Sequence, residues 1–433
     1  MNYTIFCNGA FHSAGSFVPD SEERENQLIN LYPQFTDQTW DAFGGAITDS
    51  AAYVFSLMSK RQQEELLDAY FGVDGLRYTL LRVPIDSCDF SLEQYEASPD
   101  GNPAHFDMRR PLKYILPMLE AIRARANVTL MLSPWSPPVK FKTVDRRHGG
   151  GKCRPEYYGA WAEYICQYIR EVTERGFRVS RISLQNEPHA IQTWDSCLWT
   201  AEEEREFLVE HMKPALLRHG YGDIQIYIWD HNKERILERA LSTFDGAGRD
   251  AADGVAFHWY SGDHFELLRQ VHQVFPEKKL MLSENCLEYS KHSVADPVAV
   301  RSMLAHEIFG DLESGMSAYV DWNVLLDSHG GPNYAANFAH APFLFDIETM
   351  TLQKQSIYDA FWHFAHFITP GSVRILSSSF SERIETTAFR RPDGAIALVL
   401  QNCGADQALY IRLEEQLAAL RLPEKALATI LIT

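Results

Sequence analysis

Eight short apolar runs, each ending in polar residues and separated from the next by helical patterns, limit the folds open to this chain more than any other feature. They are DAFGGAITD (41–49), YTLLRVPI (78–85), VTLMLSPW (128–135), RISLQNEP (181–188), IQIYIWDH (224–231), GVAFHWY (254–260), KLMLSEN (279–285) and AYVDWNVLL (318–326). The segments between them carry helix punctuation. Ser59 opens SKRQQEELLDAYF as an N-cap, PEYYGAWAEYICQYIREVTERG begins with proline and stops at glycine, and TAEEEREFLVEHMKPALLRHG has acids in its first turn and ends at Gly220. Strand–helix alternation repeated eight times predicts a (β/α)8 TIM barrel. The rival, a doubly wound open sheet, calls for a phosphate loop after its first strand. FGGAITD has two glycines but neither GxGxxG nor a P-loop lysine.

The barrel leaves both chain ends over. NYTIFCNG near the start reads as a strand. SVRILSSSF, IETTAFRR, AIALVLQN, LYIRL and LATILIT near the end read as an antiparallel set with a hairpin turn at RRPDGA. The expected organisation is a barrel over 39–368 and an appended small antiparallel β-sandwich built from 1–38 plus 369–433, in which the C-terminal strands cover the edge of the N-terminal one.

The strand ends are the chemically informative part. They include Asp49, Arg82, Trp135, Asn186, Glu187, Asp230, His231, His258, Tyr260, Glu284, Asn285, Trp322 and Asn323. A barrel gathers all of them on one face, where its active sites lie. A single polar strand end is usually a cap or a turn, but eight of eight is not explained that way. Glu187 and Glu284 stand on different strands, so two identical side chains sit in different environments. That is what glycoside hydrolysis asks of a carboxyl pair, one protonated and one ionised. Arg82 is placed to hold Glu284 ionised and Tyr260 to donate to it. Asn186 suits a sugar 2-hydroxyl, Trp135, Trp322 and Tyr260 offer flat faces for a ring, and Asp49 offers an acceptor for distant hydroxyls. As the proton donor, Glu187 is expected to have a raised pKa in the free protein.

Several other features have blander readings. Asp230 and His231 are adjacent on a strand and are expected to point to opposite faces, which argues against a metal site. The first strand also lacks the His-x-His of metal-dependent barrel hydrolases. His363 and His366 lie among aromatics on a helical pattern and read as packed or capping residues. Cys286 has no histidine base implied by spacing and reads as a buried thiol. A net charge of −18 argues against nucleic acid as a partner. Seven cysteines without CxxC spacing suit free thiols in a reducing compartment. With no basic-then-apolar leader and no apolar stretch long enough to span a bilayer, a cytoplasmic location is the expectation.

Taken together, FGGAITDSAA, LLRVPIDSCDFS, LSPWSPP, QNEP, AFHWY, LSENC and DWNVLLDSHGGPNY resemble glycoside hydrolase family 30, in particular its glucosylceramidase-containing branch. The resemblance runs in order from about residue 41 to the last strands. It implies a barrel with an appended β-sandwich, hydrolysis of β-glycosides with retention, and no metal or other cofactor. By motif it implies Glu187 of QNEP as acid/base and Glu284 of LSENC as nucleophile. Asp49, Trp135, Asn186, Trp322 and Asn337 of YAANF match sugar-binding positions, and His258 and Tyr260 match the HWY that supports the nucleophile. The implied substrate is a terminal β-glucoside, including glucosylceramide-type glycolipids. β-Xyloside or β-1,6-glucan hydrolysis, and an inactive carbohydrate-binding protein, remain as alternatives. The basic, Gly-rich segment 136–154 has no clear counterpart, and the aglycone and oligomeric state stay open.

Overall fold

The eight apolar runs close on themselves. In a computed structural model that describes all residues from Met1 to Thr433, they form strands β1 (Ala42–Ala46), β2 (Leu80–Ile85), β3 (Thr129–Pro134), β4 (Val179–Ser183), β5 (Gln225–Asn232), β6 (Gly254–His258), β7 (Lys279–Glu284) and β8 (Met316–Asp321). Each pairs in parallel with the next, and β8 returns to β1. The fold is therefore a closed eight-stranded TIM barrel. Eight inward residues (Ala42, Leu80, Met131, Tyr227, Ala256, Met281, Ala318 and Val320) form a cluster of their own inside it. A much larger apolar cluster packs the strands against the surrounding helices. The barrel is thus a filled core whose chemistry is confined to its C-terminal rim.

The glycine pair of FGGA has a packing cause. A Cβ at Gly44 would lie 2.1 Å from the carbonyl oxygen of Leu80 on the adjacent strand, and one at Gly45 would lie 2.4 Å from Val324 Cγ1. Only glycine lets β1 approach β2 so closely.

The termini build the second unit, a β-sandwich. Its ten strands take four from the N-terminal residues (Asn2–Cys7, Ala10–Ser16, Val18–Pro19 and Leu28–Thr39) and six from the chain after Val373. Asn2–Cys7 pairs antiparallel with the last strand, Leu427–Ile432. Alternating residues from both ends, among them Ile29, Leu398, Ile411 and Ile430, fill its core.

Polar contacts lock the two units together. His363, on the helix Ser356–Ala365, accepts a hydrogen bond from Gly9 N–H through Nε2 and faces Thr429 Oγ1 through Nδ1, both at 2.9 Å. It is the packed residue expected from its aromatic neighbours. Arg374 reaches from the sandwich to Glu313 at 2.8 Å.

Replacing Gly44 by Ala is expected to lower unfolding stability by at least about 2 kcal/mol, because the atom it meets is backbone and cannot rotate away. Urea unfolding of the two proteins measures this. A change within about 0.5 kcal/mol, the range of an ordinary surface substitution, would show that β1 moves freely against β2.

Candidate active site

Strand β2 carries Arg82 to the centre of the rim, where its side chain is fully buried. A buried guanidinium must satisfy its N–H groups within the protein. Nη1 donates to Glu284 Oε2 at 2.6 Å, Nη2 donates to Asp230 Oδ2 and Asn186 Oδ1 at 2.8 Å each, and Nε donates to Ser133 Oγ at 3.1 Å. Four strand ends are thereby tied to one planar group. Trp135 and Trp322 stack on each other with centroids 5.2 Å apart, and their rings lie 4.8 and 5.3 Å from Arg82 Cζ. The cation–π contacts hold the indoles beside the fork.

The backbone at the strand ends is held in the left-handed region. φ is +46° at Glu187, +72° at Trp229, +47° at Asp230 and +68° at Asn323. Non-glycine residues adopt such angles at a cost that surrounding contacts must meet. Glu187 N–H donates to the Asp230 carbonyl at 2.9 Å, Asn186 N–H to the Pro134 carbonyl at 2.8 Å, and Trp229 N–H to Glu204 Oε1 at 3.0 Å. These turns re-aim the side chains that follow. In particular, the register between β6 and β5 slips between Ala256 and Phe257, which makes Asp230 the extra residue of a bulge. Asp230 and His231 therefore both face the site, contrary to the opposite faces that strict strand alternation predicts.

Asp230 becomes a buried hub. It accepts from Arg82, from Ser183 Oγ at 2.6 Å, from Ser283 Oγ and, at 3.1 Å, from His258 Nε2. Burial disfavours its charge, but Arg82 and His258 outweigh burial and hold the carboxyl well below the usual range.

The two glutamates face one imidazole. His258 Nδ1 lies 3.4 Å from Glu187 Oε1 and 3.9 Å from Glu284 Oε1. Glu284 receives donors on both oxygens, Arg82 on Oε2 and Tyr260 OH on Oε1 at 2.9 Å. Glu187 is placed differently. Its Oε1 lies 3.5 Å from His231 Nδ1, and its Oε2 has a long 3.4 Å contact with Gln192 Nε2. Burial alone would raise the Glu187 carboxyl, yet His231 and His258 together bring it well below the usual range. The raised pKa expected for the free protein is thus not what this surrounding produces, because two imidazoles stand beside the carboxylate. His258 holds the proton instead. Burial opposes its charged form, but Glu284, Asp230 and Glu187 push it up to about 9.

Above these groups lies a cavity of about 260 Å³. It is slightly below the usual range of small-molecule sites, roughly 300–1,000 Å³. Trp135, Asn186, Tyr260, Trp322 and Asn337 line it with both glutamates, as the sequence suggested. Asp49 does not. β1 ends at Ala46, so Asp49 falls in the first turn of a helix, Asp49–Leu57, capped by Thr48. Its carboxylate is taken up by both Arg110 Nη atoms, at 3.0 and 2.9 Å, and by Leu92 N–H at 3.0 Å.

The acidic acceptor in the cavity is Asp89, which sequence reasoning passed over within DSCDFS. Asp89 Oδ2 accepts from Asn337 Nδ2 at 2.9 Å, and its buried Oδ1 has no partner. Burial, reinforced by the charge on Glu284, pushes this carboxyl up to about 8. The available signal was its place in the loop directly after β2, where rim residues are expected.

Gln192 and Trp194 also line the cavity and were missed. They sit in a loop whose position is fixed by the basic segment 136–154. Buried Arg147 binds Asp195 at 2.8 Å and Glu96 at 3.0 Å, and Lys142 Nζ donates to the carbonyls of Arg147 and Ser196, each at 2.7 Å. Gly149, Gly150 and Gly151 all take φ near +70°, which explains the glycine run. The two buried cations of this segment, Lys142 and Arg147, are used internally and serve to pin the cavity wall.

The model of the glycosyl hydrolase family 30 TIM-barrel domain matches residues 40–368, and that of the glycosyl hydrolase family 30 beta sandwich domain matches 371–430. The chain is 31% identical to the lysosomal acid glucosylceramidase of Mus musculus over 409 residues, which span 89% of this chain and 79% of that protein. Among solved structures it is similar to SrfJ from Salmonella typhimurium, with a TM-score of 0.96 and 35% identity over 100% of this chain and 99% of that one. It shares its fold with the endo-β1,6-glucanase BT3312, with a TM-score of 0.89 and 24% identity over the full length of both.

His258 supplies a pH test. Its proton is bound with a pKa of about 9 in the folded chain, against the ordinary 6.5. The folded state holds that proton more tightly than the unfolded one. The associated stability is complete below about pH 6.5 and is lost as pH rises through about 9. The difference in unfolding free energy between the native chain and His258→Gln should therefore shrink from pH 6.5 to 9 in urea melts. A constant difference would show that His258 is neutral when folded.

Proposed function

The chain belongs to glycosyl hydrolase family 30 and is a β-glycosidase; from that premise we propose that it releases terminal β-glucose by double displacement, with Glu284 as nucleophile and Glu187 as acid/base. The observation that carries this reading is the unlike surroundings of two carboxylates on either side of one imidazole nitrogen. Glu284 meets donors, Arg82 and Tyr260. Glu187 meets two imidazoles, His231 and His258, and it is His258 whose proton its carboxylate neighbours hold. In the first step a Glu284 oxygen bonds to the anomeric carbon while Glu187 passes a proton, drawn from the imidazole side, to the departing oxygen. Forming the ester removes the negative charge of Glu284. Glu187 then takes a proton from water, which attacks the same carbon and returns Glu284 as a carboxylate.

Asn186 is fixed through its Oδ1 to Arg82, which leaves its amide N–H₂ for the sugar 2-hydroxyl. Asp89 offers its unpartnered Oδ1 to hydroxyls at the far side of the ring, the role the sequence assigned to Asp49. The stacked indoles supply the apolar floor. The small cavity favours one terminal ring, and so exo-action, over a long glycan. The similarity to a glucosylceramidase supports glucosyl lipids as members of the substrate class.

Activity on a panel of nitrophenyl β-D-glucoside, xyloside, galactoside and fucoside, beside glucosylceramide and a β-1,6-glucan, tests the substrate. The glucoside is expected to have the highest kcat/KM of the aryl glycosides. A better xyloside would overturn the glucose assignment, and internal oligosaccharides released from the glucan would overturn exo-action. Proton NMR of the first sugar released should show the β-anomer, and an α-anomer would rule out double displacement.

Three variants test the residue roles. Glu284→Gln should abolish turnover. Glu187→Ala should harm substrates with poor leaving groups far more than nitrophenyl ones, and equal losses would remove Glu187 from the acid role. Asp89→Ala should lower kcat/KM on the glucoside about 10–100-fold, as for a lost buried hydrogen bond of roughly 1–3 kcal/mol.

A further inference from the structure

The bulge at Asp230 also gathers one carboxylate and two imidazoles, beyond any role they have in hydrolysis, into a set with metal-ligand geometry. Glu187 Oε1, His231 Nδ1 and His258 Nδ1 all lie within 4.8 Å of one another. Glu187 Oε1 is 3.5 Å from the first nitrogen and 3.4 Å from the second. Ligand atoms bound at about 2.0–2.2 Å around a tetrahedral zinc ion stand roughly 3.4 Å apart, so two of the three edges already match. Both Nδ1 atoms are buried and make no hydrogen bond. The Nε2 of His258 is bound to the Asp230 carboxylate at 3.1 Å, the backing that orients metal-bound imidazoles in metalloproteins. The open side of the set faces the cavity, which Glu187 and His231 line.

Charge points the same way. Around this position stand three carboxylates, Glu187, Asp230 and Glu284, and one guanidinium, Arg82, which pairs with Asp230 and Glu284. With neutral imidazoles that leaves two uncompensated negative charges, which either protons or one divalent cation can offset. Two imidazoles and one carboxylate suit zinc and its neighbours in the transition series, not calcium or magnesium, which demand more oxygen ligands.

We propose that Glu187, His231 and His258 form a binding site for one divalent transition-metal ion of the zinc class, and that its occupation inhibits the enzyme. The inhibitory part rests on Glu187 being the acid/base: an ion held on Oε1 takes the atom that must exchange protons with the leaving group and with water. The binding part rests only on the three side chains.

Metal binding and activity are to be read separately on the full chain after dialysis against a chelator. Co²⁺ should bind one per chain with the visible absorption of a low-symmetry four-coordinate ion, and Zn²⁺ should displace it. His231→Asn and Glu187→Gln should each weaken Zn²⁺ uptake, followed by calorimetry, at least tenfold. His105→Gln, at an exposed histidine paired with Asp100, should not. The use of two site variants guards against one that fails to fold. No uptake at about millimolar Zn²⁺, or uptake indifferent to both site substitutions, would overturn the proposal. Zn²⁺ should also inhibit aryl glucoside hydrolysis, with recovery on adding chelator. One-to-one binding through these residues without inhibition would sustain the site and overturn the assignment of Glu187 as acid/base.

Discussion

The buried guanidinium of Arg82 is the contact on which the rest of the site depends. A single planar group with fixed donor directions receives oxygens from β3, the β4 end, β5 and β7. β3, β4 and β5 follow β2 in the sheet, and β7 comes within reach of the same guanidinium because the barrel closes. Removing the fork would strand two buried carboxylates, and a lysine there would keep the charge but not the four directions. The same plane packs against both indoles, so the apolar floor and the ionic centre are one assembly.

Around that centre the protein separates two chemically equal glutamates by their partners. Glu284 is given hydrogen-bond donors, and Glu187 is given imidazoles. His258 stands between them with Asp230 behind it, 3.4 Å from Glu187 and 3.9 Å from Glu284. This arrangement depends on strained backbone. The left-handed turns at Glu187, Trp229 and Asp230 are held by the Glu187 N–H on the Asp230 carbonyl and by the Trp229 N–H on the helix residue Glu204, and without them the β5 end would present one polar side chain to the site instead of two.

The loops finish the cavity by a similar economy. Segment 136–154 reads as a basic surface, but Arg147 and Lys142 point inward and hold the loop that bears Gln192 and Trp194. The wall that bears Gln192 and Trp194 is thus held by ion pairs and hydrogen bonds behind it, from residues that do not themselves line the cavity.

Sequence alone determined the barrel, because strand–helix alternation with polar strand ends has few other solutions. It indicated the use of the termini in a β-sandwich and the placing of Glu187 and Glu284 on one cavity, because a strand end in a barrel has only one face to serve. Arg82, Asn186, Tyr260, Trp135 and Trp322 were legible for the same reason, whereas Asn337, in a loop, was indicated only by the family resemblance. Tertiary structure alone decided what depends on register and on loops. The carboxylate in the cavity is Asp89 and not Asp49, since β1 stops three residues short of Asp49 and a helix begins there. His231 joins the site because a bulge cancels the two-residue period of a strand. Glu187 has its pKa lowered and not raised, because that sign is set by two imidazoles arriving from β5 and β6, whose approach distance is not written in the spacing of residues along the chain.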